Sequence, residues 1–403
     1  MHPDGIRDHL VWIASVLAFT IAAATGALYR FGLAYGFTGG LDFTNVRHAH
    51  SHLMFFAWVT PAVFMFISRR VEALTTSSWP RLGQWATVAA LVLGFASYVP
   101  FLLFGYSPVS LGSIVLPPSV IVAGLNMIAW YAFMAGYVRQ TRKIKRGRVL
   151  ILFDGALMFL FLASLGAWGI SLTVPTGNDS PLISAALTHL FLGFFSEGFI
   201  LLAVLGLAES FTRPGVFGNR LFETCVWLLI AGISVTFLLG MPSAMVDPSA
   251  RWLVRIASGF MAVGLTGFSV QMLRRGAHSW RIVGVFLVLK AVGFYAVLLT
   301  PGMWWSDYAA ERVLYFHLHL LGFTSLGIMA AARETVAGRT PDQIRWMTGA
   351  VVLVVLSLLP MTMFWPGPLK GAWMLKAAAW AALGPVLVGF WMVLFQRPAL
   401  KKP

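Results

Sequence analysis

Five histidines fall at recurring places in an otherwise strongly apolar chain: His50 and His52, His189, and His317 and His319. Imidazole ligates metals and carries protons near neutral pH, so their spacing speaks to chemistry. In "YFHLHLLGF" (315–323) two of them are one leucine apart. Successive helical residues are about 100° apart, so His317 and His319 point to nearly opposite sides of a helix and cannot easily chelate one metal together. Zinc asks for a compact tetrahedral set of ligands. Haem fits better, because its iron takes axial imidazoles while the flat macrocycle stands between helices. A helix with a histidine on either side can then serve two haems.

The elements that must position these residues are membrane helices. Hydrophobic residues make up 59% of the 403, charged residues 11%, and the mean hydropathy is +0.80. That is more apolar side chain than a soluble fold of this length buries. A membrane-crossing helix needs about 20 mostly apolar residues. Twelve segments qualify, near 9–29, 49–68, 83–105, 113–138, 149–174, 183–211, 221–241, 252–273, 281–301, 313–332, 346–365 and 371–395. The connections are short, so an all-α integral membrane protein is expected, with one polytopic domain over 1–403. The first segment is too long for a signal peptide and is expected to be retained.

Formal net charge is +15. The N-terminus, the loops after even-numbered segments and the C-terminal tail hold 21 of the 29 Lys and Arg, densest in "RQTRKIKRGR" (139–148). This is the positive-inside bias. It predicts cytoplasmic termini in a bacterial-type inner membrane and makes the charge topological, with no nucleic-acid partner. The single cysteine, Cys225, excludes an internal disulfide and a Cys-based iron–sulfur or zinc site. No CxxCH occurs, so covalent c-type haem is not expected.

Histidines open segments 2, 6 and 10. Even segments all run inward, so all five imidazoles share the outer part of the membrane. The contexts are also alike: "HLMFF" from His52, "HLFLGFF" from His189 and "HLLGF" from His319. This is a weak trace of a threefold repeat of four helices. Ionisable groups at membrane depth are costly and are functional candidates by default.

Three motifs carry a family resemblance. "RHAHSHLMFFAW" (47–58), "HLFLGFFSEGF" (189–199) and "HLHLLGF" (317–323), on twelve segments, resemble the catalytic subunit of the haem–copper oxidase superfamily, in particular C-type oxidases and nitric oxide reductases. Arg47, His50 and Ser51 match the helix 2 stretch. The resemblance implies the superfamily's twelve-helix bundle with pseudo-threefold arrangement. It implies two b-type haems: His50 and His319 as axial ligands of a low-spin haem, and His317 as proximal ligand of a five-coordinate haem that binds the gas. His189 stands where the family keeps one histidine of a second metal, copper or non-haem iron. The family's two further histidines on helix 7 are missing, since segment 7 ends "FLLGMPSAMVD" (237–247). One imidazole does not hold copper, so that second metal and full oxygen reduction are put in doubt. Met241 and Met245 are soft donors in principle, though core packing is their simpler reading.

On helix 2, His48 and His52 share a face that His50 does not, so His52 or His48 could take the haem if that helix is rotated. Glu197, two turns beyond His189, is either a proton relay or metal ligand, or a neutral structural carboxyl. Lys290 is either part of a proton path or structural, Asp154 is a proton uptake point or a surface carboxylate, and Arg47, Arg312 and Lys370 are propionate partners or interface anchors. Trp304 and Trp305 read as part of an interfacial belt.

Two functional classes follow. One is an oxidoreductase or electron-transfer subunit of a respiratory chain, taking electrons from quinol or an outer-side cytochrome and acting on oxygen or nitric oxide, with additional subunits possible within the lipid bilayer. The other is a non-enzymatic haem protein that binds or senses nitric oxide. Secondary transport is weaker, since no broken-helix pair or inverted repeat is apparent.

Overall fold

The computed structural model describes residues 3–37, 39–173, 180–212, 218–300, 302–336 and 342–395. Among them twelve helices are long and apolar enough to cross a membrane. These are α1 (Arg7–Tyr35), α2 (Phe43–Thr75), α3 (Arg81–Phe104), α4 (Pro118–Thr141), α5 (Arg148–Thr173), α6 (Pro181–Phe211), α7 (Asn219–Gly240), α8 (Pro248–Arg275), α9 (His278–Leu299), α10 (Ala309–Thr335), α11 (Gln343–Met361) and α12 (Trp373–Phe395). Their order follows the twelve apolar segments.

Helix starts obey local chemistry. Asp42 caps α2 by accepting from the Asn45 N–H at 2.9 Å, and Asp247 caps α8 by accepting from Ser249 N–H at 2.8 Å. Ser180 precedes Pro181 at the start of α6 and accepts from Ile183 N–H. Proline at a first helical position costs nothing, because its missing N–H would have no intrahelical partner.

The fourth span departs from expectation. Residues 113–117 are not helical. Val109–Leu111 (β1) and Ile114–Leu116 (β2) pair antiparallel around Gly112, whose φ of +65° suits glycine. The helix begins only at Pro118. Pro117 and Pro118 lack donors, and the residue before a proline is pushed toward extended backbone, so apolarity alone misplaced this boundary.

The chain divides into two compact units, residues 1–144 with 331–403, and 145–330. In the first, α1 packs on α2 and α12, α3 lies between α2 and α4, and α11 lies against α12. Its core is aromatic: Trp58 meets Trp12 at 5.7 Å and Phe19 at 5.2 Å between ring centres. In the second, α5 packs on α6, and α7, α8, α9 and α10 follow one another in space as in sequence.

The three helices that carry the five recurring histidines are the most enclosed. Within the apolar stretch of each span, 83% of the residues are buried in α2, 83% in α6 and 72% in α10, against at most 61% in any other span. They share a second feature. Met54–Val59, Phe194–Ile200 and His317–Ser325 are π-helical, with one residue more per hydrogen-bonded turn. The Thr60 and Ser325 hydroxyls donate five residues back, to Phe55 and Leu320 carbonyls. The three similar stretches of sequence, beginning at His52, His189 and His319, each run into or lie within one of these segments. Such π turns concentrate at functional sites.

Candidate functional site

Each unit carries its own cluster. In the first unit, three histidines of α2 take different environments. His50 Nδ1 lies 2.7 Å from the Ala22 carbonyl of α1. A carbonyl only accepts, so Nδ1 carries the proton, and in the neutral ring Nε2 carries the lone pair. Gly26 of α1 makes room for this ring: a Cβ there would sit 2.8 Å from His50 Cε1. Substituting Gly26→Ala therefore forces the ring or the helix to move. The expected cost is about 1–3 kcal/mol, checked by thermal unfolding of the purified protein.

His52 is committed otherwise. Its ring stacks on Phe101 at 3.6 Å with an interplanar angle of 6°, and its Nε2 shares a 2.8 Å hydrogen bond with the Tyr106 hydroxyl. Tyr106 also meets His48 edge-on, at 4.8 Å between ring centres. Arg47 is exposed on the same helix. Of the three imidazoles, His50 is the one with a ring nitrogen tied to backbone, as in an oriented metal ligand, while the buried Nδ1 of His52 has no hydrogen-bond partner among the described residues.

In the second unit, Glu197, Lys290, Tyr315 and His319 come together. Lys290 Nζ lies 2.7 Å and 2.6 Å from the two carboxylate oxygens of Glu197. The Tyr315 hydroxyl donates to Glu197 Oε1 at 2.6 Å, and Lys290 donates to the same phenol. Lys290 Nζ also stands over the Tyr315 ring, 4.5 Å from its centre, a cation–π contact. Trp305 lies against that ring as well, 4.0 Å between ring centres. Glu197 belongs to the π segment of α6, Lys290 to α9 and Tyr315 to α10.

His319 is fully buried beside this group. Its Nε2 lies 2.9 Å from the Ser196 carbonyl and 3.9 Å from Glu197 Oε1, while its Nδ1 has no hydrogen-bond partner. The Ser196 carbonyl makes Nε2 the protonated atom, so the lone pair falls on Nδ1. His317, half-buried, turns its Nδ1 back to the Val313 carbonyl at 2.7 Å. The two rings of H-x-H therefore do occupy different surroundings.

His189, on α6, is half-buried and packs on the end of α7: a Cβ on Gly240 would lie 2.3 Å from its Nδ1. Just beyond, the Met241 carbonyl accepts from Trp304 Nε1 at 2.6 Å and from Ser306. Trp304 is buried, so it serves as a loop anchor. Burial would raise the Asp307 carboxyl, but hydrogen bonds from Ser243 and Ser306 hold it below the usual range. Met241 is buried and Met245 exposed, so these two sulfurs have different surroundings. Among the described residues no three His, Cys, Asp or Glu side chains gather as a metal-binding group. Asp154 pairs with Arg146 at 2.8 Å near the start of α5, and both side chains are partly exposed.

Reading the sequence alone treats Glu197 and Lys290 separately and overlooks Tyr315 and Tyr106. A signal for the pair existed: one acid and one base of opposite sign, each well inside a span, need partners.

Comparison with known proteins finds no matching family model and no matching curated protein. On its own structure the chain is an all-α, multi-pass membrane protein.

Proposed function

We propose that this is a haem-binding membrane protein related to the haem–copper oxidases, working in electron transfer or in redox chemistry of oxygen or nitric oxide. The observation that carries the reading is the way the imidazoles are held. His50, His317 and His319 each tie one ring nitrogen to a backbone carbonyl, on Ala22, Val313 and Ser196. That arrangement sets the tautomer and orients the other nitrogen toward a metal. Each unit thus offers donors that suit haem iron: His50 on α2 through Nε2 in the first, and on α10 in the second His317 through Nε2 and His319 through Nδ1.

Bound haem would supply one-electron transfer and a site for a diatomic gas. The chain's own residues bind it, exclude water from the enclosed α2 and α10, and keep fixed charges nearby in the Glu197–Lys290 pair. On this reading His189 and Glu197 line the reacting side, Arg47 takes a haem propionate, and quinol or an outer-side cytochrome delivers electrons. The charge bias supports an inner-membrane location with cytoplasmic termini.

A reduced-minus-oxidised spectrum of the purified protein tests it. Two b-type signals, one shifted by carbon monoxide, are expected. A protein that takes up no haem when expressed with haem supplied would sink the reading. Turnover of nitric oxide or oxygen with quinol then separates an enzyme from a non-enzymatic nitric oxide binder.

A further inference from the structure

A cavity of about 390 Å³ opens where α3 begins and α4 ends, with Ser78, Arg81, Leu82, Arg139 and Gln140 in its wall. It lies wholly within the first unit. The geometry points to a binding site for the phosphate headgroup of an anionic phospholipid, apart from the haem reading.

The wall is built. The Gln140 side-chain amide donates to Ser77 Oγ at 2.6 Å and Thr75 Oγ1 at 3.1 Å, which pins the loop before α3 to the end of α4. The acid nearest in sequence is already engaged: Glu72 accepts from Arg69 at 2.9 Å and from the Trp79 N–H at 2.7 Å. No Asp or Glu occurs anywhere from residue 73 to 153. Arg81 and Arg139 are exposed, and among the described residues neither has a carboxylate partner. Arg142 and Lys143 follow within a turn of Arg139 and are also exposed. Two guanidinium groups facing one cavity are a fork for phosphate oxygens.

The backbone adds donors of the same kind. Pro80 at the N-cap of α3 offers no side-chain acceptor, so the first-turn N–H groups remain for an anion. Beside the cavity the surface turns apolar. Leu82 is 53% exposed, Trp85 71% and Val138 57%. Leu82 and Trp85 are three apart and share a face of α3. A polar pocket with an apolar shelf next to it suits a lipid with its acyl chains, and a free phosphate would leave the shelf unused. Both helix ends belong to the side that the charge bias assigns to the cytoplasm, where anionic lipids and basic pockets between helices meet.

The test uses delipidated full-length protein in neutral detergent. It is titrated separately with phosphatidylglycerol, phosphatidylcholine and inorganic phosphate, with binding read by native mass spectrometry. Phosphatidylglycerol is expected to bind in preference to the other two. With roughly 1 kcal/mol per basic residue, R81Q/R139Q should weaken it about thirty-fold, and R81K/R139K should weaken it less. R274Q/R275Q removes the same charge at the end of α8 and should leave binding unchanged. Equal retention of phosphatidylglycerol by R81Q/R139Q, at an unchanged unfolding temperature, would overturn the proposal. So would equal binding of phosphatidylcholine, or arginine-dependent binding of inorganic phosphate without any of the lipid.

Discussion

Substituting Lys290→Met is expected to destabilise the protein by about 3–5 kcal/mol, because it leaves the Glu197 carboxylate buried with no counter-charge. The lysine side chain is fully enclosed and that of Glu197 is 8% exposed. Water cannot take over the role of the ammonium. The loss should not add to that of the partner. In K290M/E197Q the charge problem disappears on both sides, and the glutamine carbonyl still accepts from the Tyr315 hydroxyl. That double variant should return to within about 1–2 kcal/mol of the parent, as buried ion pairs often do when replaced together. Denaturant unfolding in micelles measures both. Equal stability of K290M and the parent would show that the pair does not hold α6 to α9. Tyr315→Phe removes one of two donors to Glu197 and should cost less, about 1–3 kcal/mol.

The second large effect separates two histidines of one helix. If the proposed haem is bound, His50→Ala is expected to abolish the spectral signal of the haem that His50 would ligate, since His50 is the imidazole of its cluster with a ring nitrogen held by a backbone carbonyl. His52→Phe should keep that signal, because His52 stacks on Phe101 and bonds Tyr106. Phenylalanine preserves the stacking and loses the hydrogen bond, a cost of about 1 kcal/mol. Difference spectra of the two variants, normalised to protein, read the outcome directly. Signal lost in H52F and kept in H50A would reverse the assignment on α2.

The choice among His48, His50 and His52 shows where sequence stops. Spacing says only that His50 faces away from the other two. Which face meets a carbonyl on α1 and which meets Phe101 depends on how α2 is rotated against its neighbours. The Ala22 carbonyl and Gly26 lie more than twenty residues away in the chain, and no local pattern names them. The π segments are similar. Their sequences rhyme, yet the extra residue per turn is a property of how those turns pack, and nothing in helical periodicity marks it.

What the sequence by itself determined is the membrane class and the number and order of the spans. Each follows from the free energy of placing side chains in hydrocarbon, which is summed along the chain and needs no tertiary partner. Tertiary structure alone decided that Glu197 and Lys290 form one ion pair, that Tyr315 completes it, and that His52 is held by stacking while His50 is held by a carbonyl. Those outcomes depend on distances between residues far apart in sequence, such as the 93 positions between Glu197 and Lys290. A buried charge dictates that it must have a partner, and only the packing of helices says which one.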